Sequence, residues 1–220
     1  MRVLIYGGDG MLGHQLLKTL RVAHEVRVTL RQSMSNYQDS GLFDPTNSFA
    51  DIVARSLLCL VDTISSFRPA PIVNCIGLVK QRDNTKDVIA NLEINALLKR
   101  RLAQLCRAIG ARLIHVSTDC NAVGRKGMYM EGVSDAEDIY GHTKFLDEEA
   151  GPTCLTLRTS IIGRELRRAS AASPNVSWRK KRPRSRLCPT RRLKSRLFKI
   201  SRDIRLMPHH SSETWSPSSE

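Results

Sequence analysis

The stretch Arg2-Val3-Leu4-Ile5-Tyr6-Gly7-Gly8-Asp9-Gly10-Met11-Leu12-Gly13-His14-Gln15-Leu16-Leu17 decides the fold. Val3 to Tyr6 is a short apolar run that reads as a buried strand. From Met11 to Leu20, the residues Leu12, Leu16, Leu17 and Leu20 recur on one face at helical spacing. Gly7, Gly10 and Gly13 lie at the junction with the spacing GxxGxxG. The first glycine permits a tight turn, the second lets backbone approach a pyrophosphate, and the third lets the helix pack against the strand. The start of that helix presents free N–H groups and the positive end of its dipole to phosphate. A glycine triplet by itself also suits an ordinary tight loop. Its position between a strand and a helix, in a βαβ unit, favours a dinucleotide.

The same rhythm continues outward. Glu25 to Leu30 reads as a strand, and Arg31 to Ser40 as a polar stretch. Phe49 to Phe67 reads as a helix ended by Pro69 and Pro71, and Ile72 to Ile76 as a strand. Val88 to Ile109 has the pattern of a long amphipathic helix stopped by Gly110. Arg112–Ser117 reads as strand, Glu137–Ala150 as helix and Thr153–Ile161 as strand. Apolar strands alternating with helices predict an α/β fold, a Rossmann-type doubly wound parallel sheet covered on both faces. An acidic residue ending the second strand would bind the ribose 2′-hydroxyl of NAD. The segment Val28-Thr29-Leu30-Arg31-Gln32-Ser33 has none, and Arg31 suits a 2′-phosphate, so NADP is favoured over NAD.

Charge divides the chain in two. The formal net charge is +14, yet residues 164–220 hold 16 of the 35 Lys and Arg and only 4 of the 21 Asp and Glu. The basic character therefore belongs to the tail. Residues 1–164 are expected to be the NAD(P)-binding domain. Residues 165–220, with Arg179-Lys180-Lys181-Arg182 and a Ser/Pro-rich end, lack any periodic apolar pattern and are expected to be disordered. An abrupt change inside an otherwise regular sequence also fits out-of-frame translation after a frameshift, or a truncated gene, which is the favoured reading. Sparse aromatics (Trp178, Phe198, Trp215) argue against a nucleic-acid platform. Six cysteines form no CxxC pair, and His209-His210 has no further ligand beside it, so no metal is expected. No apolar run approaches the roughly 20 residues that span a bilayer, and a strand starts at Arg2, so a cytoplasmic, non-membrane protein is expected.

A second constellation lies downstream. Tyr140-Gly141-His142-Thr143-Lys144 sets a phenol and an ammonium at i and i+4, on one face of a helix. Such a charge lowers the phenol's pKa toward the range useful for acid–base work. Ser117-Thr118 ends a predicted strand, where a hydroxyl faces the cofactor crevice. Thr118, Tyr140 and Lys144 meeting over a nicotinamide ring would polarise a carbonyl and protonate it as hydride arrives. Taken singly, Tyr-x-x-x-Lys is a frequent accident of exposed helices. Its order after the glycine turn, Asn74 and Ser117-Thr118 makes the set specific.

Over residues 1–164 this set resembles the extended short-chain dehydrogenase/reductase superfamily, especially its dTDP-4-dehydrorhamnose reductase-like branch. Gly7-Gly8-Asp9-Gly10-Met11-Leu12-Gly13 resembles that branch's glycine motif, and Val73-Asn74-Cys75-Ile76-Gly77 its strand along the cofactor. Glu93-Ile94-Asn95-Ala96 resembles the helix that carries its asparagine near the active site. Ser117-Thr118-Asp119-Cys120 resembles its Ser-Thr-Asp signature. The resemblance implies Tyr140 as general acid/base, Thr118 as its hydrogen-bonding partner, and Lys144 holding the nicotinamide ribose. It implies cofactor contacts from Gly7, Gly10, Met11, Leu12, Gly13, Asn74, Cys75 and Asn95, with Asp44 at the adenine. The implied substrate is a keto-bearing nucleoside-diphosphate sugar, in deoxysugar or surface polysaccharide synthesis. Epimerase, dehydratase and non-catalytic regulatory relatives share the same local motifs. Two positions depart from the pattern: Asn121 stands where an apolar residue is usual, and Asp147 where glycine is common. The family's C-terminal half is not recognisable here. Its loss would expose apolar sheet surface, so aggregation or dependence on a partner, such as a second copy in a homodimer, is expected.

Overall fold

The computed structural model describes residues 1–78, 87–117, 142–143 and 153–158. Within them a parallel sheet forms from β1 (Arg2–Tyr6), β2 (Glu25–Thr29), β3 (Ser48–Phe49), β4 (Pro71–Asn74), β5 (Arg112–Ser117) and β6 (Cys154–Arg158). The spatial order is β3-β2-β1-β4-β5-β6. Every pairing is parallel, with Ile5 beside Val28 on one side and beside Val73 on the other. The chain builds leftward from β1 to β3, then crosses back to β4. The switch point therefore falls between β1 and β4, where ligands bind in open α/β sheets.

Side-chain alternation along β1 explains why both faces need cover. Val3 and Ile5 point into one core with Leu12, Leu16, Leu17 and Leu20, mainly from α1 (Gly13–Leu20). Leu4 and Tyr6 point into the other. There they meet Leu60, Ile64 and Phe67 of α2 (Leu57–Phe67) and Leu98, Leu102 and Cys106 of α4 (Leu98–Ala108). A short helix α3 (Val88–Asn91) leads into α4 through a π-helical segment, Leu92–Leu97. The predicted helix from 88 to 109 is thus continuous but widened in its first half. Among the described residues no helix is long and apolar enough to cross a membrane.

One expectation needs correction. The helix predicted from Phe49 begins at Leu57, where the Ser56 hydroxyl accepts the Cys59 N–H at 3.4 Å. Phe49 instead pairs with Thr29 in β3, because its ring fills a slot between the Arg27 guanidinium, 5.2 Å from the centroid, and Phe67, 6.5 Å away. Tertiary packing overrides local periodicity there. The polar stretch after β2 contains a 3₁₀ helix, Met34–Ser40, anchored by buried Tyr37. The predicted helix 137–150 lies outside the described residues except for His142 and Thr143, which are helical.

Candidate functional site

Gly7 leaves β1 with φ +85°, in the left-handed region, and a Cβ there would stand 3.0 Å from the Ile76 side chain and 3.3 Å from backbone after β4. Gly13 is still more constrained. A Cβ on it would lie 2.0 Å from the Gly7 carbonyl oxygen, so the helix start rests directly on the turn. That contact is the third-glycine role read from the spacing. The turn is tied to β2 as well: Gly8 N–H donates to the Thr29 carbonyl at 2.8 Å, and Gly7 N–H to the Thr29 hydroxyl at 3.1 Å. Gly10 N–H closes onto the Gly7 carbonyl at 3.1 Å. Leu12 is buried in the core and Met11 is partly exposed beside it. Their N–H groups make no hydrogen bond to the described residues, leaving donors at the mouth of α1.

His14, buried at the first turn of α1, has its Nδ1 2.7 Å from the Gly10 carbonyl and its Nε2 2.7 Å from the Gln15 side-chain amide. A carbonyl only accepts and an amide nitrogen only donates, so Nδ1 carries the proton and Nε2 is bare. Burial holds the imidazole's pKa below its usual value, against the opposing pull of the Gly10 carbonyl. The helix start therefore carries a neutral histidine.

Across the switch point, Tyr6 is paired with Asn74 at the end of β4. The Asn74 side chain is fully buried. Its Oδ1 accepts the Ile76 N–H at 3.0 Å, which fixes the amide so that Nδ2 donates to His115 Nδ1 on β5 at 3.1 Å. Cys75 N–H extends the sheet by donating to the Tyr6 carbonyl at 2.9 Å. Burial pushes its thiol up to about 12, so it stays protonated. Asn95, in the π-helical segment, is also fully buried. Its Oδ1 accepts the Leu78 N–H at 2.9 Å, and its Nδ2 donates to Asn91 Oδ1 at 3.0 Å. The Asn91 amide in turn donates to the Asp87 carbonyl at 2.8 Å. Asn95 thus secures the strand-to-helix loop beside the crevice.

The adenosine end of the site is differently built. Arg31 is exposed just past β2. Asp44, also exposed, spends its carboxylate on closing its own turn: it accepts from the Thr46 N–H at 2.8 Å, the Asn47 N–H at 3.1 Å and the Thr46 hydroxyl. The bond from that hydroxyl is the chief reason its pKa falls below the usual carboxylate value. Missed in the sequence was a link between Asp9, inside the glycine turn, and Tyr37. The Tyr37 hydroxyl donates to Asp9 Oδ2 at 2.8 Å and accepts the Gln32 N–H at 3.3 Å. Tyr37 is the sole aromatic between Arg31 and Ser40, which was the available signal. Thr118, Tyr140 and Lys144 lie outside the described residues. Among the described residues no group of His, Cys, Asp or Glu could hold a metal ion.

A six-stranded parallel sheet in this order, with a glycine turn and a strand-four amide facing each other at the reversal, defines the Rossmann class of α/β folds. More narrowly, the chain belongs to the RmlD substrate binding domain family, whose model matches residues 1–170. It is 30% identical over 151 residues to a dTDP-4-keto-6-deoxy-D-glucose reductase of Streptomyces niveus, covering 68% of this chain and 46% of that one. It is 29% identical over 154 residues to methionine adenosyltransferase 2 subunit beta of Bos taurus, covering 68% and 42%. The fold superimposes on a dTDP-4-dehydrorhamnose reductase from Bacillus anthracis solved in complex with NADP. The TM-score is 0.53 at 21% identity, covering 71% of this chain and 52% of that one. The chain spans less than half the length of the curated relatives it matches.

Proposed function

We propose that the chain is the cofactor-holding part of a reductase that acts on the keto group of a nucleoside-diphosphate sugar, with NADP or NAD as its dinucleotide. One observation carries this reading: the place a Cβ of Gly13 would fill lies 2.0 Å from Gly7, so only glycine lets the turn fold tightly enough to cradle a diphosphate. The residues present fit such a group. Gly7, Gly10 and Gly13 clear the space, and the N–H groups of Met11 and Leu12 face it. Arg31 and Asp44 flank the adenosine half, and Asn74, Cys75 and Asn95 border the nicotinamide half. The dinucleotide, when bound, supplies hydride. From the sequence, Tyr140 holds the proton destined for the substrate oxygen, Lys144 lowers the pKa of that phenol, and Thr118 hydrogen-bonds the carbonyl. The likeness to the Streptomyces niveus reductase, 30% identical, supports this substrate class over epimerisation. The reading implies a soluble cytoplasmic enzyme of deoxysugar or polysaccharide synthesis, self-associated as a homodimer, with residues 165–220 outside the functional domain.

A second reading is favoured by the likeness to the adenosyltransferase beta subunit: a regulatory module that keeps the nucleotide fold without turnover. Two measurements on the full chain separate them. Titration with NADPH and NADH, followed by nicotinamide fluorescence, should saturate in either case. Consumption of NADPH with a dTDP-4-keto sugar, abolished by Tyr140→Phe, is expected of the reductase. Saturable binding with no turnover identifies the module, and no binding at all removes both.

A further inference from the structure

The end of β2 is where a doubly wound fold chooses between NAD and NADP, by an acid for the ribose 2′-hydroxyl or a cation for a 2′-phosphate. The sequence just past β2 supplies only Arg31 there. The structure brings a carboxylate to the same place from elsewhere. Asp9 sits in the glycine turn and is roped to the segment after β2 through Tyr37, whose hydroxyl touches both Asp9 Oδ2 and the N–H of Gln32, the second residue beyond Leu30.

We propose that Asp9 receives the adenosine ribose, accepting its 2′-hydroxyl through Oδ1, and that the chain consequently takes NAD(H) in preference to NADP(H). The proposal rests on the dinucleotide reading above and refines it. Three observations support it. Oδ1 has no partner among the described residues, whereas Oδ2 is occupied, so the carboxylate is both oriented and available. Its anchor is firm: Tyr37 is 3% exposed, and its ring packs edge-on to Phe43 with centroids 5.5 Å apart. Burial and the neighbouring Asp9 push the Tyr37 phenol up to about 12, so it remains a donor and keeps the carboxylate in place. Arg31, by contrast, is exposed and forms no ion pair with Asp9, although its charge opposes the rise in the Tyr37 pKa. A 2′-phosphate brought against a fixed, half-buried carboxylate meets like charge, and such juxtaposition is strongly selected against. A 2′-hydroxyl meets an acceptor.

The test is a pair of fluorescence titrations, NADH and NADPH, on the full-length chain and on Asp9→Asn, Tyr37→Phe and Arg31→Gln. Wild type is expected to bind NADH tighter by about tenfold or more. Asp9→Asn should tighten NADPH and shrink that ratio by about tenfold. Tyr37→Phe should weaken NADH a few-fold while thermal melting shows the fold retained. Arg31→Gln, which removes a cation flanking the adenosine half, should weaken NADH and NADPH by a similar factor. Preference for NADPH in the wild type, a ratio unmoved by Asp9→Asn, or loss of NADPH binding confined to Arg31→Gln overturns the proposal. Binding of neither dinucleotide overturns instead the functional reading beneath it, so the two failures are distinguishable.

Discussion

The two sides of the switch point line one crevice by opposite means. After β1 the chain makes room by having no side chains: Gly7 and Gly13 touch backbone to backbone. After β4 it fills the space with buried amides, and Asn74 and Asn95 hold the loop N–H groups of Ile76 and Leu78 where no helix or strand supplies an acceptor. The glycine side is geometric, and Gly13 tolerates no added atom. The amide side is chemical and tolerates a change of shape better than the loss of a hydrogen bond.

That contrast is sharpest in its largest expected effect. Gly13→Ala sets a methyl group at 2.0 Å from a carbonyl oxygen, where the neighbour is backbone and cannot swing away. We expect a loss of more than about 3 kcal/mol in urea unfolding, together with loss of NAD(P)H binding. Wild-type-like stability with intact binding would show that the turn yields and that the comparison is misdrawn. On the amide side, Asn95→Ala strands the Leu78 N–H and removes a donor from Asn91. The expected cost is about 1–3 kcal/mol, that of a buried unsatisfied group. Asn95→Asp keeps the acceptor for Leu78 and should recover part of that stability at low pH, where the acid is protonated.

The smallest effect sits between the two sides, at His14. Its pKa is lowered in the folded state, so the unfolded chain binds the proton more readily. The contribution of neutral His14 is therefore fully present above the unfolded value of about 6.5 and is lost as pH falls below it. The urea midpoint should fall from pH 7.5 to pH 5.5, and His14→Gln should reduce that slope. An unchanged slope in the variant would assign the pH dependence to another group.

Much of the glycine side was legible in advance, because it is written as spacing. Gly7, Gly10 and Gly13, the leucines of α1 and the apolar runs of β1, β2, β4 and β5 all follow local periods. The amide side was legible only in part. Asn74 and Asn95 were picked out by resemblance, but their partners were not: Asn74 meets His115 41 residues away, and no period encodes that distance. Asn91 did carry a signal, standing four residues before Asn95 in a predicted helix. Phe49 was misread because its environment, Arg27 and Phe67, is assembled only once the sheet exists. Asp9 stood inside the very motif that was read for its glycines, and its carboxylate acquires meaning only when Tyr37 comes back across the turn.

The widened stretch Leu92–Leu97 has a consequence for how this helix can vary. In an unbroken α-helix, Asn91, Asn95, Leu98, Leu102 and Cys106 would line up on a single stripe, since each step turns about 100°. The bulge inserts slack between the asparagine pair and the leucines, so one rod serves a wet loop at its head and an oily sheet at its foot. Regular α-helical turns over these same residues would force the two halves back into phase. Either the loop would lose its clasp or the sheet its cover, so the helix tolerates substitutions that keep the wide turn better than ones that straighten it.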